Sequence, residues 1–153
     1  SGRVASAQVY YNLLNPSAGQ AVTADWPTTD FGNLIATCQE HGVAVMNIRI
    51  FAGGALAAPN PHGREFPITR NSDVPLEHAR AETLLASLPP GQGSRAQASV
   101  RFGLAHAGIS GVVLGLAELS HLEEALEAAA MGPMADDVIA GLQPLWDRGL
   151  AEA

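Results

Sequence analysis

Two apolar stretches that run out into glycine, Gly42–Leu56 and Gly108–Gly115, each lead toward a helix, and a third strand-like stretch, Ala7–Leu14, precedes them. Read in order they make three successive strand–helix units. That alternation commits a chain to an α/β fold with a parallel sheet and right-handed crossovers. It also raises a difficulty, because three parallel strands leave two long edges of unpaired backbone groups that have to be covered.

The boundaries follow from local chemistry. Asn15-Pro16-Ser17-Ala18-Gly19 stops the first strand with turn residues. Asp30 is placed to cap a helix running to about His41, with Leu34, Ile35 and Cys38 on one face and Gly42 as the C-terminal stop. Val43–Phe51 is almost continuously apolar, interrupted only by Asn47 and Arg49, as suits a parallel strand covered on both faces. Gly53-Gly54 ends it. Ala57–Pro75, with Pro59, Pro61, Gly63, Pro67 and Pro75, reads as a long irregular loop of the kind that is usually functional or mobile. Helices are expected over Leu76–Leu88 and Ser94–His106, then a short strand at Gly111–Leu114 closed by Gly115. Ser120-His121-Leu122-Glu123 has the form of a capping box opening a helix to Ala130. Gly132-Pro133 breaks that helix. Ala135–Leu150 is expected as one last amphipathic helix with Val138, Ile139, Leu142, Leu145 and Trp146 inward.

At 153 residues the chain is expected to form one domain spanning 1–153. Hydrophobic residues make up 47% and charged residues only 15%, below the roughly 25% of ordinary globular chains, so exposed apolar surface is expected to meet something else. A net charge of −7 argues against nucleic acid or an anionic membrane surface as partner. No apolar run reaches the length of a membrane span and none follows a basic N-region, so a cytoplasmic protein is the default expectation. Beginning at Ser1, close to a strand and without an initiator Met, the sequence reads like a piece of a longer protein. Cys38, the sole cysteine, is expected as a small buried hydrophobe rather than a nucleophile. His41 suits a helix C-terminus, and His62, His78 and His106 lack metal-ligand spacing, so no metal site is expected.

Three segments carry a resemblance. Gln8-Val9-Tyr10-Tyr11-Asn12-Leu13-Leu14 resembles the sixth barrel strand of the aldo/keto reductases. Gly42–Leu56 (GVAVMNIRIFAGGAL) is similar to the seventh strand and its loop. Ala98–Ala125 (ASVRFGLAHAGISGVVLGLAELSHLEEA) resembles the following helix, the eighth strand and the cofactor-binding segment. The resemblance covers nearly the whole chain in the right order. It implies a partial (β/α)8 TIM barrel of which only the C-terminal half is present, and a family activity that moves a hydride between NADPH, or alternatively NADH, and a small carbonyl or alcohol substrate. The family's catalytic Asp, Tyr, Lys and His lie on the first half of the barrel, where a tyrosine of tuned acidity donates the proton. This sequence has no lysine, and its two tyrosines, Tyr10 and Tyr11, fall on the sixth-strand segment. No catalytic residue is therefore assigned, and the chain alone is expected to be inactive.

What the resemblance does imply is a dinucleotide-holding set. Gln8 matches a glutamine that bonds the nicotinamide carboxamide. Ile48 stands where many members stack a tyrosine on the nicotinamide. Arg49 and Phe51 match the pyrophosphate path, Gly115 the glycine that admits a phosphate, and His121 and Glu124 the adenine contacts, with a helix beginning near Ser120 pointing its N–H groups at the anion. Ala117 and Ala125 depart from the pattern, standing where a basic residue and an asparagine are common. The residues themselves leave alternatives: Arg49 within an apolar strand needs a partner, which a diphosphate or an acidic side chain would supply, and Glu124 serves equally as a solvated helix residue. Three roles stay open for the chain: the cofactor side of a reductase whose other half lies elsewhere, a non-catalytic half-barrel that pairs with itself or another chain, or a truncated product.

Overall fold

A computed structural model describes residues 4–61, 63, 69 and 72–151. Three parallel strands form the sheet in the order β1 (Ser6–Tyr10), β2 (Ala44–Ile48), β3 (Gly111–Val112). The helices are α1 (Leu34–Glu40), α2 (Val74–Ala86), α3 (Arg95–Ala105), α4 (Leu119–Met131), α5 (Asp136–Gly141) and α6 (Gln143–Asp147). The alternation expected from the glycine-ended stretches is present, and three adjacent parallel strands with helices packed on one side form an arc of a (β/α)8 barrel.

The two strand junctions are unequal. β1 pairs with β2 along its whole length, from Ser6 opposite Ala44 to Tyr10 opposite Ile48. β3 pairs with β2 only through Met46–Gly111 and Asn47–Val112. Backbone bonds from Ser110 to Val45 and from Val113 to Asn47, each 2.9 Å, extend that short junction at its two ends.

Side-chain alternation sorts the sheet into two faces. Val9, Val45 and Asn47 are buried beneath the helices, while Ser6, Gln8, Ala44 and Met46 are exposed on the opposite face, Met46 by 39%. The covered side is filled by Ile35 and Cys38 of α1, Ala98 and Phe102 of α3, Leu84 of α2, and Leu145 and Trp146 of α6. Phe102 stacks on Tyr11 at 4.8 Å and tilts against Trp146 at 5.9 Å, geometries that add to area burial. Trp146 is fully buried because its Nε1–H donates to the Leu13 carbonyl at 2.9 Å. Gly103 lets α3 approach β2 and the residues after it closely: a Cβ there would lie 3.2 Å from Asn47 Nδ2 and 2.7 Å from Ile50 Cδ1.

Several boundaries move for identifiable reasons. The first strand stops at Tyr10, not Leu14, because Asn12 and Asn15 exchange backbone hydrogen bonds in a buried turn. α1 begins at Leu34 rather than at an Asp30 cap. Asp30 Oδ1 accepts instead from the Gly32 N–H, and Gly32 and Asn33 take φ values of 60° and 55°, which helix cannot continue. Its C-terminus is as read: Gly42 at φ 65° closes the helix, with Gly42 N–H to Gln39 and Val43 N–H to Cys38 as the paired bonds of a Schellman motif. Cys38 is buried. The capping box sits on α3, where Ser94 and Gln97 bond reciprocally, whereas α4 starts at Leu119 behind Glu118 with Ser120 already inside it. The final helix divides at Leu142, because Pro144 has no N–H to continue the ladder. Part of the loop expected over Ala57–Pro75, including His62 and Pro67, lies outside the described residues.

Among the described residues no helix is long and apolar enough to cross a membrane.

Candidate functional site

β2 ends at Ile48 because Arg49 adopts φ 62°, in the left-handed region that breaks a strand. Ala52, Gly53 and Gly54 follow with φ of 47°, 71° and 118°, and this short run of unusual backbone coils into a 3₁₀ turn. Non-glycine residues are held in such conformations only by surrounding structure. Here the holding groups are visible. Asn12, buried at the end of β1, donates from Nδ2 to the Arg49 carbonyl at 2.8 Å, while its Oδ1 accepts from the N–H groups of Leu14 and Asn15. From the other side α3 clamps the turn: Arg95 Nη2 donates to the Ala55 carbonyl at 2.9 Å, and the Ser99 hydroxyl shares its proton between the Arg95 carbonyl at 2.8 Å and the Leu56 carbonyl at 3.2 Å. Arg95 is itself tied to Glu82 of α2.

Against this turn stands a second wall. The extended segment after β3, Val113–Ala117, carries the chain into α4, and between the two walls lies a cavity of about 550 Å³. Its floor is apolar, formed by Ile50 and Val100, which pack with Ala128 of α4. Arg49, Phe51, Gly53 and Gly54 line the turn side; Gly115, Ala117, His121 and Glu124 line the side of α4.

Five residues singled out in the sequence thus converge: Arg49, Phe51, Gly115, His121 and Glu124 share one cavity. Gln8 and Ile48 do not line it. Gln8 is exposed in the middle of β1 opposite Met46, and half-buried Ile48 ends β2 opposite Tyr10, both on the open face of the sheet. The reading of Arg49 as a charge embedded in a strand is corrected. It lies one residue past the strand with an exposed side chain, so burial imposes no need for a partner. The helix expected to start near Ser120 does so, at Leu119, with Glu118 as a cap residue that makes no side-chain cap bond.

Glu124 is held by the Ser94 hydroxyl at the start of α3, and His121 Nδ1 accepts weakly from the Ala117 N–H at 3.4 Å. A Cβ added at Gly115 would meet nothing within 4 Å, so the glycine faces open space. A largely apolar cavity of this size, with one cation at one wall and a few polar groups at the other, suits a cofactor-sized ligand. The residues present fit a dinucleotide: Arg49 matches its diphosphate, Gly115 leaves room for close backbone approach, and the apolar floor suits a flat ring.

The aldo/keto reductase family profile matches residues 3–147. The chain belongs to the aldo/keto reductase family. Two solved structures share its fold, the holo and apo forms of the aldo-keto reductase AKR11C1 from Bacillus halodurans. Each is 22% identical over 99% of this chain with a TM-score of 0.64, and the chain spans 42% and 44% of their respective lengths. Comparison with curated protein sequences gives no match.

For an aldo/keto reductase the state of the two phenols is informative. Burial pushes the Tyr10 hydroxyl above its usual value of 10.0, with Glu77 adding to the rise and Asn12 and Arg49 opposing it. Burial also drives Tyr11 far upward, its ring packed on Phe102 and edge-on to His106. Neither environment lowers a phenol toward neutrality as a general acid requires. Among the described residues no three metal-ligating side chains converge.

Asn12 and the clamp from Arg95 and Ser99 were not singled out from the sequence. Asn12 had a signal, since an asparagine amid Tyr10, Tyr11, Leu13 and Leu14 needs a buried partner. The clamp had none, because its bonds run to backbone carbonyls some forty residues away.

Proposed function

We propose that this chain is the dinucleotide-holding part of an NAD(P)H-dependent aldo/keto reductase, the C-terminal half of a barrel that interconverts a small carbonyl compound and its alcohol. The observation that carries this reading is the convergence of Arg49, Phe51, Gly115, His121 and Glu124 on one cavity. The cavity lies beyond the C-terminal end of β2, where barrel enzymes keep their chemistry. The bound cofactor would supply or accept the hydride. This chain's residues bind and orient: Arg49 holds the diphosphate, Phe51 and the apolar floor exclude water, and Gln8 and Ile48 face the barrel interior beside the nicotinamide. The proton donor belongs to the missing strands, since both phenols here are shifted away from acidity and the sequence has no lysine to tune them.

Exposed Met46 on the open sheet face, and Leu119 and Leu126 on α4, exposed by 71% and 61%, favour completion by further structure. The N-terminal barrel half is the partner that this reading calls for. A second copy of the chain is the alternative, and it would give a non-catalytic assembly.

Fluorescence titration with NADPH and NADH tests the binding role in wild type, Arg49→Met and Gly115→Val. Methionine keeps most of the side-chain volume and the non-glycine backbone, so the comparison isolates the charge. Loss of one charge-assisted contact should weaken binding by about 1.5 kcal/mol or more, at least tenfold, and valine should fill the space beside Gly115 with a comparable loss. Unchanged affinities in both variants, with circular dichroism intact, would remove the dinucleotide from this cavity.

A further inference from the structure

The two walls of the cavity carry opposite charge, and this bears on which dinucleotide fits. On the turn wall stands Arg49. On the other wall, the whole stretch from Gly111 to Met131 contains neither lysine nor arginine, while it carries Glu118, Glu123, Glu124 and Glu127. Glu124 lines the cavity and Glu118 is the residue between cavity-lining Ala117 and the first turn of α4.

No other described cation is free to cross over. Arg95 is committed to Glu82 and the Ala55 carbonyl. Arg101 is nine-tenths buried and spends its guanidinium on the Gly132, Gly91 and Gln92 carbonyls and the Gln92 side chain. Arg80 lies at a separate small cavity with Tyr10 and Glu77, and Arg148 follows α6. The partial positive charge at a helix N-terminus amounts to about half an elementary charge. Three carboxylates in the first seven residues from Glu118 outweigh it.

We propose that the α4 side of this cavity accepts a hydroxyl-bearing ribose and turns away a phosphate ester, so that the chain selects NADH over NADPH. The inference rests on the dinucleotide reading above and deepens it. Charge alone orients the ligand. Its diphosphate belongs with Arg49, and at the α4 wall, beside the His121 ring, the charged group is the Glu124 carboxylate, an acceptor that favours a ligand bringing donors. A free ribose 2′-hydroxyl supplies a donor to a carboxylate, as acidic residues do in other NAD sites. A 2′-phosphate brings up to two negative charges against Glu124 and the neighbouring Glu118, with no cation among the described residues of that wall to offset them.

The test is parallel titration of the full chain with NADH and NADPH at low and high salt, alongside ADP-ribose and 2′-phospho-ADP-ribose, which lack the nicotinamide. NADH should bind at least tenfold more tightly at low salt, the two ADP-riboses should show the same ratio, and added salt should shrink it because the discrimination is between charges. Ala117→Arg, placed on the cavity wall, should reduce or invert the preference by tightening NADPH at least tenfold relative to NADH. Equal affinities, or tighter NADPH, with binding still lost in Arg49→Met would overturn the selectivity and leave the dinucleotide site standing. Binding of none of the four compounds by a folded chain would overturn both.

Discussion

The helix-covered side of the sheet and the edge formed by β3 and α4 are built on different terms. On the covered side, β1 and β2 pair over five residues, and Phe102, Trp146 and Leu13 close a core with the indole N–H satisfied. At the other edge β3 contributes two paired residues, and α4 turns Leu119, Leu122 and Leu126 toward solvent at i, i+3 and i+7 spacing. The covered side holds itself together. The β3–α4 edge has the apolar stripe of a buried helix without the layer that would bury it. The cavity lies across the boundary between the two, with Arg49 on the firm side and Glu124 on the looser one.

The largest effect that sharpens this contrast belongs to the core. Trp146→Ala should destabilise the chain by about 3–5 kcal/mol in a denaturant titration, enough to unfold a marginal domain. A loss under about 1 kcal/mol would mean that the covered side is not the stable unit. Asn12→Ala should come next, at about 2–3 kcal/mol, because it strands the buried Leu14 N–H and frees the Arg49 carbonyl. The same variant should weaken dinucleotide binding, whereas a similarly destabilising change remote from the cavity should not.

Leu122→Lys combined with Leu126→Lys should leave the stability of the isolated chain within about 0.5 kcal/mol, as at any exposed position. It should nevertheless abolish self-association seen by sedimentation, or assembly with a supplied N-terminal half. Destabilisation like that of Trp146→Ala would show that the stripe is already buried and break the comparison. The smallest signal is spectroscopic. Both phenols are raised above 10.0, so the neutral forms belong to the folded state. The stability they accompany is complete below pH 10.0 and falls as pH rises beyond it, and no phenolate absorbance should appear near neutrality. A phenolate titrating near pH 7 would return Tyr10 to consideration as an acid.

The sequence revealed what depends on local pattern. Glycine-ended apolar runs marked β2 and β3, and Gly42 marked the end of α1. The quoted motifs brought five residues to a common cavity. What it concealed depends on distant partners or on backbone torsions. Asn33 and Arg49 in the left-handed region delay α1 and end β2, and nothing in an Asn or Arg codon position announces that. Ser120-His121-Leu122-Glu123 fits a capping box as well as Ser94–Gln97 does, yet helix α4 had already begun at Leu119. Arg49 looked buried because its neighbours in sequence are apolar, although a single torsion carries it out of the strand.

That torsion has an evolutionary corollary. Arg49 and Ala52 each occupy backbone conformations that cost an L-residue roughly 1–2 kcal/mol relative to glycine. Selection for stability alone would therefore drift both positions toward glycine. At Ala52 that drift removes one methyl group from the turn. At Arg49 it removes the only described cation of the cavity. An arginine in a place where glycine is easier sets stability against the binding role proposed for it. In a library of random variants screened for heat resistance, Ala52→Gly should be recovered freely. Arg49→Gly should be recovered just as readily, and lost again once the same library is sorted for dinucleotide retention.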